Sequence, residues 1–192
     1  MRSVAQALER LQQSLDRQGI HYFLAGSLAS SIHGVQRSTR DIDIVAAIGE
    51  GHTVALAQDL QGEFYIDADA AAEALRHGRS FNLIHFASSY KFDIFPVPDD
   101  PYYQAQLRRS EPKSIVLEEG LVVRSFVATA EDTILSKLVW YRLGGESSDQ
   151  QWSDLRGVRT VQGAGLDQNY LRKWAPHLGV QDLLDRLLSE GL

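Results

Sequence analysis

The chain has 192 residues, 44% of them hydrophobic and 23% charged, with a formal net charge of −6 at pH 7. These are the proportions of a soluble globular protein, long enough for one domain with a small appendage. With no cysteine, disulfides, thiolate metal sites and thiol nucleophiles are excluded, and the negative charge argues against binding nucleic acid by bulk electrostatics.

In chain order, Val4, Leu8, Leu11 and Leu15 recur at helical spacing, and Gly19 ends that helix. The same stretch lacks the central apolar run of a signal peptide. Next, IHYFLAG reads as a short buried strand with Gly26-Ser27 at its end, followed by the small-residue helix SLASSIHG. DIDIV alternates strictly, with Asp41, Asp43 and Val45 on one face and Ile42 and Ile44 on the other. Residues 52–60 and 67–78 predict helices. SFNLIHFASSYKFDIFPV reads as two strands joined by a tight turn at Ser88-Ser89. Pro96, Pro98 and Pro101 close that region, and a short helix is expected over 101–109. SIVLEEGLVVRSFV is a second hairpin, turning near Glu119-Gly120.

From Thr129 onward the pattern is helical only. Thr129 predicts an N-cap, with Asp132 three residues later, and Gly144-Gly145 ends that helix. Leu171, Trp174 and Leu178 mark another helix; Leu183, Leu184, Leu187 and Leu188 mark the last. The expected fold is α/β (α+β), a mixed sheet flanked by helices over residues 1–128, then a C-terminal helical subdomain over 129–192. No run of about eighteen apolar residues occurs, so no membrane span is expected, and the cytoplasm is the expected location.

Asp41-x-Asp43 is the sharpest chemical signal. Two residues apart on a strand, both carboxylates leave the same face. At an effective dielectric near 20, like charges about 4 Å apart repel by roughly 4 kcal/mol. Between Ile42 and Ile44 that calls for a compensating cation, or for one aspartate to stay protonated. Acidic oxygen ligands without cysteine favour Mg²⁺ or Mn²⁺ over zinc. Asp93 alternates with Phe92 and Ile94 and is the expected third ligand. Three carboxylates from two strands suit two divalent ions, which would bridge a nucleoside triphosphate, activate an attacking hydroxyl and stabilise departing pyrophosphate. Asp93 is also placed to take the proton of the acceptor hydroxyl.

Gly26-Ser27 supplies the phosphate side. A glycine after a strand lets the backbone approach a phosphate, and the amides opening the next helix point at the anion. A plainer reading stands beside each of these. Asp41 and Asp43 could end a solvent-facing strand, which leaves the Gly-Ser spacing unexplained; Asp93 could sit on an edge strand. Gly26 as a tight turn and Ser27 as an N-cap are compatible with phosphate binding. Lys137 is either a lysine whose stem lies on the core or a point charge for phosphate. Arg37 and Arg40 flank the acidic strand and either pair with a carboxylate or hold the triphosphate or acceptor. His33, His85 and His177 show no metal-ligand spacing, and His33 reads as shaping its turn. Trp140, Trp152 and Trp174 read as helical core or its margins.

The stretch LAGSLASSIHGVQRSTRDIDIV resembles the signature of the DNA polymerase beta-like nucleotidyltransferases: a Gly-Ser turn, then an apolar-Asp-apolar-Asp-apolar strand, with a third acid on a later strand. More narrowly, His33-Gly34-x-x-Arg37-x-Thr39-x-Asp41-Ile42-Asp43 is similar to AbiEii-like (abortive-infection) toxin nucleotidyltransferases of bacterial toxin–antitoxin systems. So are EDTILSKLVWYR and LDQNYLRKWAPHLGVQDLLDRLL. The resemblance covers nearly the whole chain and is densest at 24–45. It implies the polymerase beta-like fold with a catalytic domain over 1–128, Lys137 contacting the triphosphate, and Asp154 supporting that lysine from the next helix. The segment GGESSDQQWSDLRGV is longer and more acidic than the pattern.

The resulting expectation is a magnesium- or manganese-dependent transfer of NMP from an NTP to a hydroxyl on tRNA, a protein or a small molecule. Asp41, Asp43 and Asp93 would be catalytic and metal-binding; Gly26, Ser27, Arg40 and Lys137 would bind the nucleotide. The narrower likeness implies a toxin with a cognate antitoxin. Two rivals stand: a catalytically silent nucleotide- or partner-binding module of the same fold, and a metal-dependent phosphohydrolase, which commonly adds the histidine ligands that this spacing does not offer.

Overall fold

The computed structural model describes residues 3–36, 39, 41–118 and 120–190, with Glu118 described by its backbone alone. In chain order its elements are α1 (Val4–Arg17), β1 (Tyr22–Leu24), α2 (Gly26–His33), β2 (Asp41–Ala46), α3 (Thr53–Asp59), β3 (Phe64–Tyr65), α4 (Ala68–Arg76), β4 (Phe81–His85) and β5 (Lys91–Pro96). There follow α5 (Pro101–Arg109), β6 (Glu111–Glu118), β7 (Leu121–Val127), α6 (Ala130–Leu143), α7 (Asp149–Gln162), α8 (Gln168–Trp174) and α9 (Gln181–Ser189). They gather into two compact units, Met1–Leu24 with Thr39–Val127 and Ala25–Ser38 with Ala128–Leu192. Among the described residues no helix is long and apolar enough to cross a membrane.

The first unit is built on a seven-stranded sheet in the order β3-β4-β5-β2-β1-β7-β6. Pairing is parallel between β2 and β5 and between β1 and β7, and antiparallel elsewhere. The alternation read in DIDIV is realised: Ile42, Ile44 and Ala46 are buried, as are Phe92 and Ile94 of β5 and all of β1. Each such aliphatic or aromatic side chain contributes roughly 1.5–3 kcal/mol on leaving water. A capping box between Ser3 and Gln6 opens α1, whose Leu8, Leu11 and Leu15 are fully buried. At its far end Arg17 pairs with Asp59 at 2.6 Å, and Arg10 reaches Glu63 at 2.9 Å, tying α1 to the end of α3. The β4–β5 connection turns through Ser89 in the left-handed region at φ 58°, as the sequence led one to expect. β6 starts earlier than read, at Glu111, and contains Pro112. A proline is tolerated there because β6 is the sheet's edge.

In the second unit the cap of α6 is as read. The Thr129 hydroxyl accepts from the Asp132 amide at 3.2 Å and donates to the Asp132 carboxylate at 3.0 Å. The Tyr170 hydroxyl donates to the other Asp132 oxygen at 2.8 Å, so this fully buried acid has neutral donors on both oxygens. α2 packs on α6 and α7. His33 donates a hydrogen bond to the Ala128 carbonyl at 2.7 Å, and Gln162 donates to the His33 carbonyl at 2.7 Å, so this residue ties the end of α2 to segments far along the chain. One reading needs correction: α8 ends at Trp174, so Leu178 lies beyond it. Trp140 is 53% exposed, while Trp152 is buried with its ring 5.1 Å from that of Tyr141.

Candidate active site

The acidic cluster belongs to the first unit and is set by strand register. In the parallel β2–β5 pair, Asp43 lies opposite Asp93 and Asp41 opposite Lys91. Their intervening neighbours Ile42, Ile44, Phe92 and Ile94 are all buried on the other face. With side chains alternating across a strand, the three acids and Lys91 share one face of adjacent strands. On the far side of β5, Asn82 of β4 is the register partner of Asp93.

Among the described residues, Lys91 brings a cation to this cluster. Its Nζ lies 2.8 Å from Asp93 Oδ2 and 3.8 Å from Asp41 Oδ1. The hydrogen bond to Asp93 holds the Lys91 ammonium above the usual lysine range, aided by the charges of Asp93, Asp41 and Asp43 and opposed by partial desolvation. The sequence reading passed over Lys91, although its signal was present. The alternation that turned Asp93 toward the polar face carries Lys91, two residues earlier, to the same face.

The donor chemistry fits a hard divalent cation, since the three acids offer only carboxylate oxygens. Among the described residues, however, no three His, Asp or Glu side chains are grouped to hold a metal ion as they stand. An oxygen of Asp93 is engaged by the Lys91 ammonium at 2.8 Å.

The other sequence-predicted residues belong to the second unit or fall outside the description. Gly26 is the first residue of α2 and takes φ 57°, a left-handed conformation open to glycine at little cost. The preceding Ala25 gives no side-chain cap to that helix, and Ser27 follows as its second residue. Lys137, on α6, is nearly buried and pairs with Asp154 of α7 at 2.8 Å; the two side chains are 10% and 7% exposed. Gln150 donates to the other Asp154 oxygen at 3.0 Å. Arg37 and Arg40 lie outside the described residues. A pocket in this unit, lined by Arg159, Leu166, Arg172 and Leu188 among others, includes none of the residues singled out above.

No protein-family model matches the chain, and no curated protein does. Solved structures do. The solution structure of the antibiotic-resistance factor ANT(2'')-Ia is 12% identical, with 95% of this chain and 96% of that one covered and a TM-score of 0.52. The crystal structure of ANT(2'')-Ia in complex with adenylyl-2''-tobramycin is 14% identical over 90% and 97% of the two chains, with a TM-score of 0.51. An antigenic nucleotidyltransferase-like protein from Paracoccidioides brasiliensis is 16% identical over 97% and 92%, with a TM-score of 0.53. Together with the mixed sheet flanked by helices, these likenesses give the chain the α/β fold of the polymerase beta-like nucleotidyltransferases.

Proposed function

We propose that this protein is a nucleotidyltransferase that moves NMP from a nucleoside triphosphate to a hydroxyl acceptor, with pyrophosphate as the leaving group. The observation that carries the reading is the register of β2 against β5, which brings Asp41, Asp43 and Asp93 to one polar face. In this reading those three acids bind Mg²⁺ or Mn²⁺, which would supply charge neutralisation for the triphosphate and pyrophosphate. Asp93 receives the acceptor's proton. Gly26 and Ser27 offer backbone and hydroxyl donors to phosphate, and Arg40 and Lys137 offer charge. The acceptor is a tRNA end, a protein side chain or a small molecule. The AbiEii-like residues favour the first two, with a toxin role and a cognate antitoxin as partner; the adenylyl-2''-tobramycin complex of ANT(2'')-Ia favours the third.

The test is to incubate the protein with each α-labelled NTP, Mg²⁺ or Mn²⁺, and total RNA, cell lysate or an aminoglycoside. Label should pass to an acceptor with wild type and not with Asp43→Ala. A second reading, a silent nucleotide- or partner-binding module, draws support from Lys91, which relieves the acidic repulsion without any metal. Nucleotide binding without transfer under every condition would decide for it, and release of free phosphate would point instead to a hydrolase.

A further inference from the structure

We infer that Lys91 is the site's resident counter-cation: it competes with a divalent cation for Asp93 and Asp41, so that metal enters by exchange with its ammonium. The inference rests on the reading that these acids bind metal, and it adds a control on when they do so.

Three observations support it. First, the ammonium lies 2.8 Å from Asp93 Oδ2 and 3.8 Å from Asp41 Oδ1, bridging acids from two different strands. Magnesium ligates oxygen at roughly 2.0–2.1 Å, so an ion on Asp93 Oδ2 and an ammonium already bonded to that oxygen would meet as like charges at close range. Second, the partners differ in freedom. The Asp93 side chain is 19% exposed and sits on a strand paired on both sides, whereas Lys91 is 40% exposed on a long, flexible stem. Lys91 is therefore the partner that moves. Third, the charges fit an exchange. Among the described residues of this face, the ammonium lowers the net negative charge of the three carboxylates by one, so a divalent cation is attracted more strongly once the ammonium has left. A released ammonium is also a donor for a triphosphate oxygen. Metal and nucleotide then favour each other's binding, because the nucleotide receives the group that the metal expels.

The test uses the full chain and Mn²⁺, with free Mn²⁺ followed by electron paramagnetic resonance. Without nucleotide, Lys91→Met should bind Mn²⁺ about tenfold or more tightly than wild type, as expected when a like charge close to the ion is removed. Lys91→Arg, which restores the charge, should return to wild-type weakness. Equal or weaker binding by Lys91→Met overturns the inference and leaves the metal reading intact. Failure of both proteins to bind Mn²⁺ at millimolar concentration overturns both.

Wild type alone gives an independent measurement should the variant not fold. The chain has only four lysines, Lys91, Lys113, Lys137 and Lys173, so reductive methylation followed by mass spectrometry reports on each. Added Mn²⁺ should speed labelling of Lys91 severalfold while Lys113 and Lys173 keep their rates. A Lys91 rate that stays level with those references while Mn²⁺ binds would also overturn the inference.

Discussion

At the scale of single residues, two positions show how little of a side chain's environment is local. Asp43 meets Asp93 across a strand pair formed from segments fifty residues apart in sequence. Gly34, just after α2, has a negative φ of −131°, and a Cβ there would lie 2.7 Å from the Val158 nitrogen and 2.8 Å from the Gly157 carbonyl carbon. Those are backbone atoms and cannot swing aside. Gly34→Ala should therefore destabilise by about 1–3 kcal/mol, the usual range for overpacking. Gly51→Ala, with nothing within 4 Å, should stay within about 0.5 kcal/mol of wild type; urea denaturation of the pair checks both. The acidic face was legible because period-two alternation is a local property of a strand. The Lys91 bridge to Asp41 was not, because it depends on which strand β5 pairs with and in what register. Nothing in the glycine-containing sequence around residue 34 could announce an approach to residues 157 and 158.

At the scale of elements, α6 and α7 are joined by the ion pair of Lys137 with Asp154. Both side chains are almost out of water, where charges are costly unless paired. Removing one partner deprives the other buried charge of its ion pair, so Lys137→Ala should destabilise by about 3–5 kcal/mol. Asp154→Ala should cost a similar amount, and the double variant clearly less than the sum. Equilibrium unfolding of the three variants measures this. An additive result would mean that the charges are independently solvated. α7 itself was hard to read from sequence. Its buried Trp152, Leu155 and Val158 are separated by polar residues and by Gly157, which reads as a helix breaker. The structure explains that glycine: a Cβ on it would lie 3.3 Å from the Val35 nitrogen, so a small residue is wanted where two backbones pass. β3 was missed for a different reason, since two residues carry no periodicity. α1, β2, β4, β5 and α6 were legible because each is long enough to show a repeat or a cap.

At the scale of the whole molecule, the chain does not keep sequence order in its units. Residues 25–38 group with 128–192, while the segments on either side of them build the sheet unit. Sequence patterns report which elements form, but membership follows from packing between distant segments, and for α2 those segments are α6 and α7. Within α2, Leu28, Ala29 and Ser30 are buried, and an isolated helix of eight residues is too short to hold itself in water. A fragment ending at residue 128 should therefore lose amide protection throughout α2 in hydrogen exchange while β2 and β5 remain protected. Protection of α2 equal to that in the full chain would show that it needs neither partner. The same grouping has a consequence during synthesis. Gln162, which bonds the His33 carbonyl, is made 129 residues after it, and at roughly 5–20 residues per second that interval lasts about 6–26 seconds. Until α6 is made, which takes up most of that interval, the nascent chain carries a short greasy segment with no mate. That is time enough for a chaperone at the ribosome exit to hold Leu28 and its neighbours, and the last helices to emerge would have to compete them free.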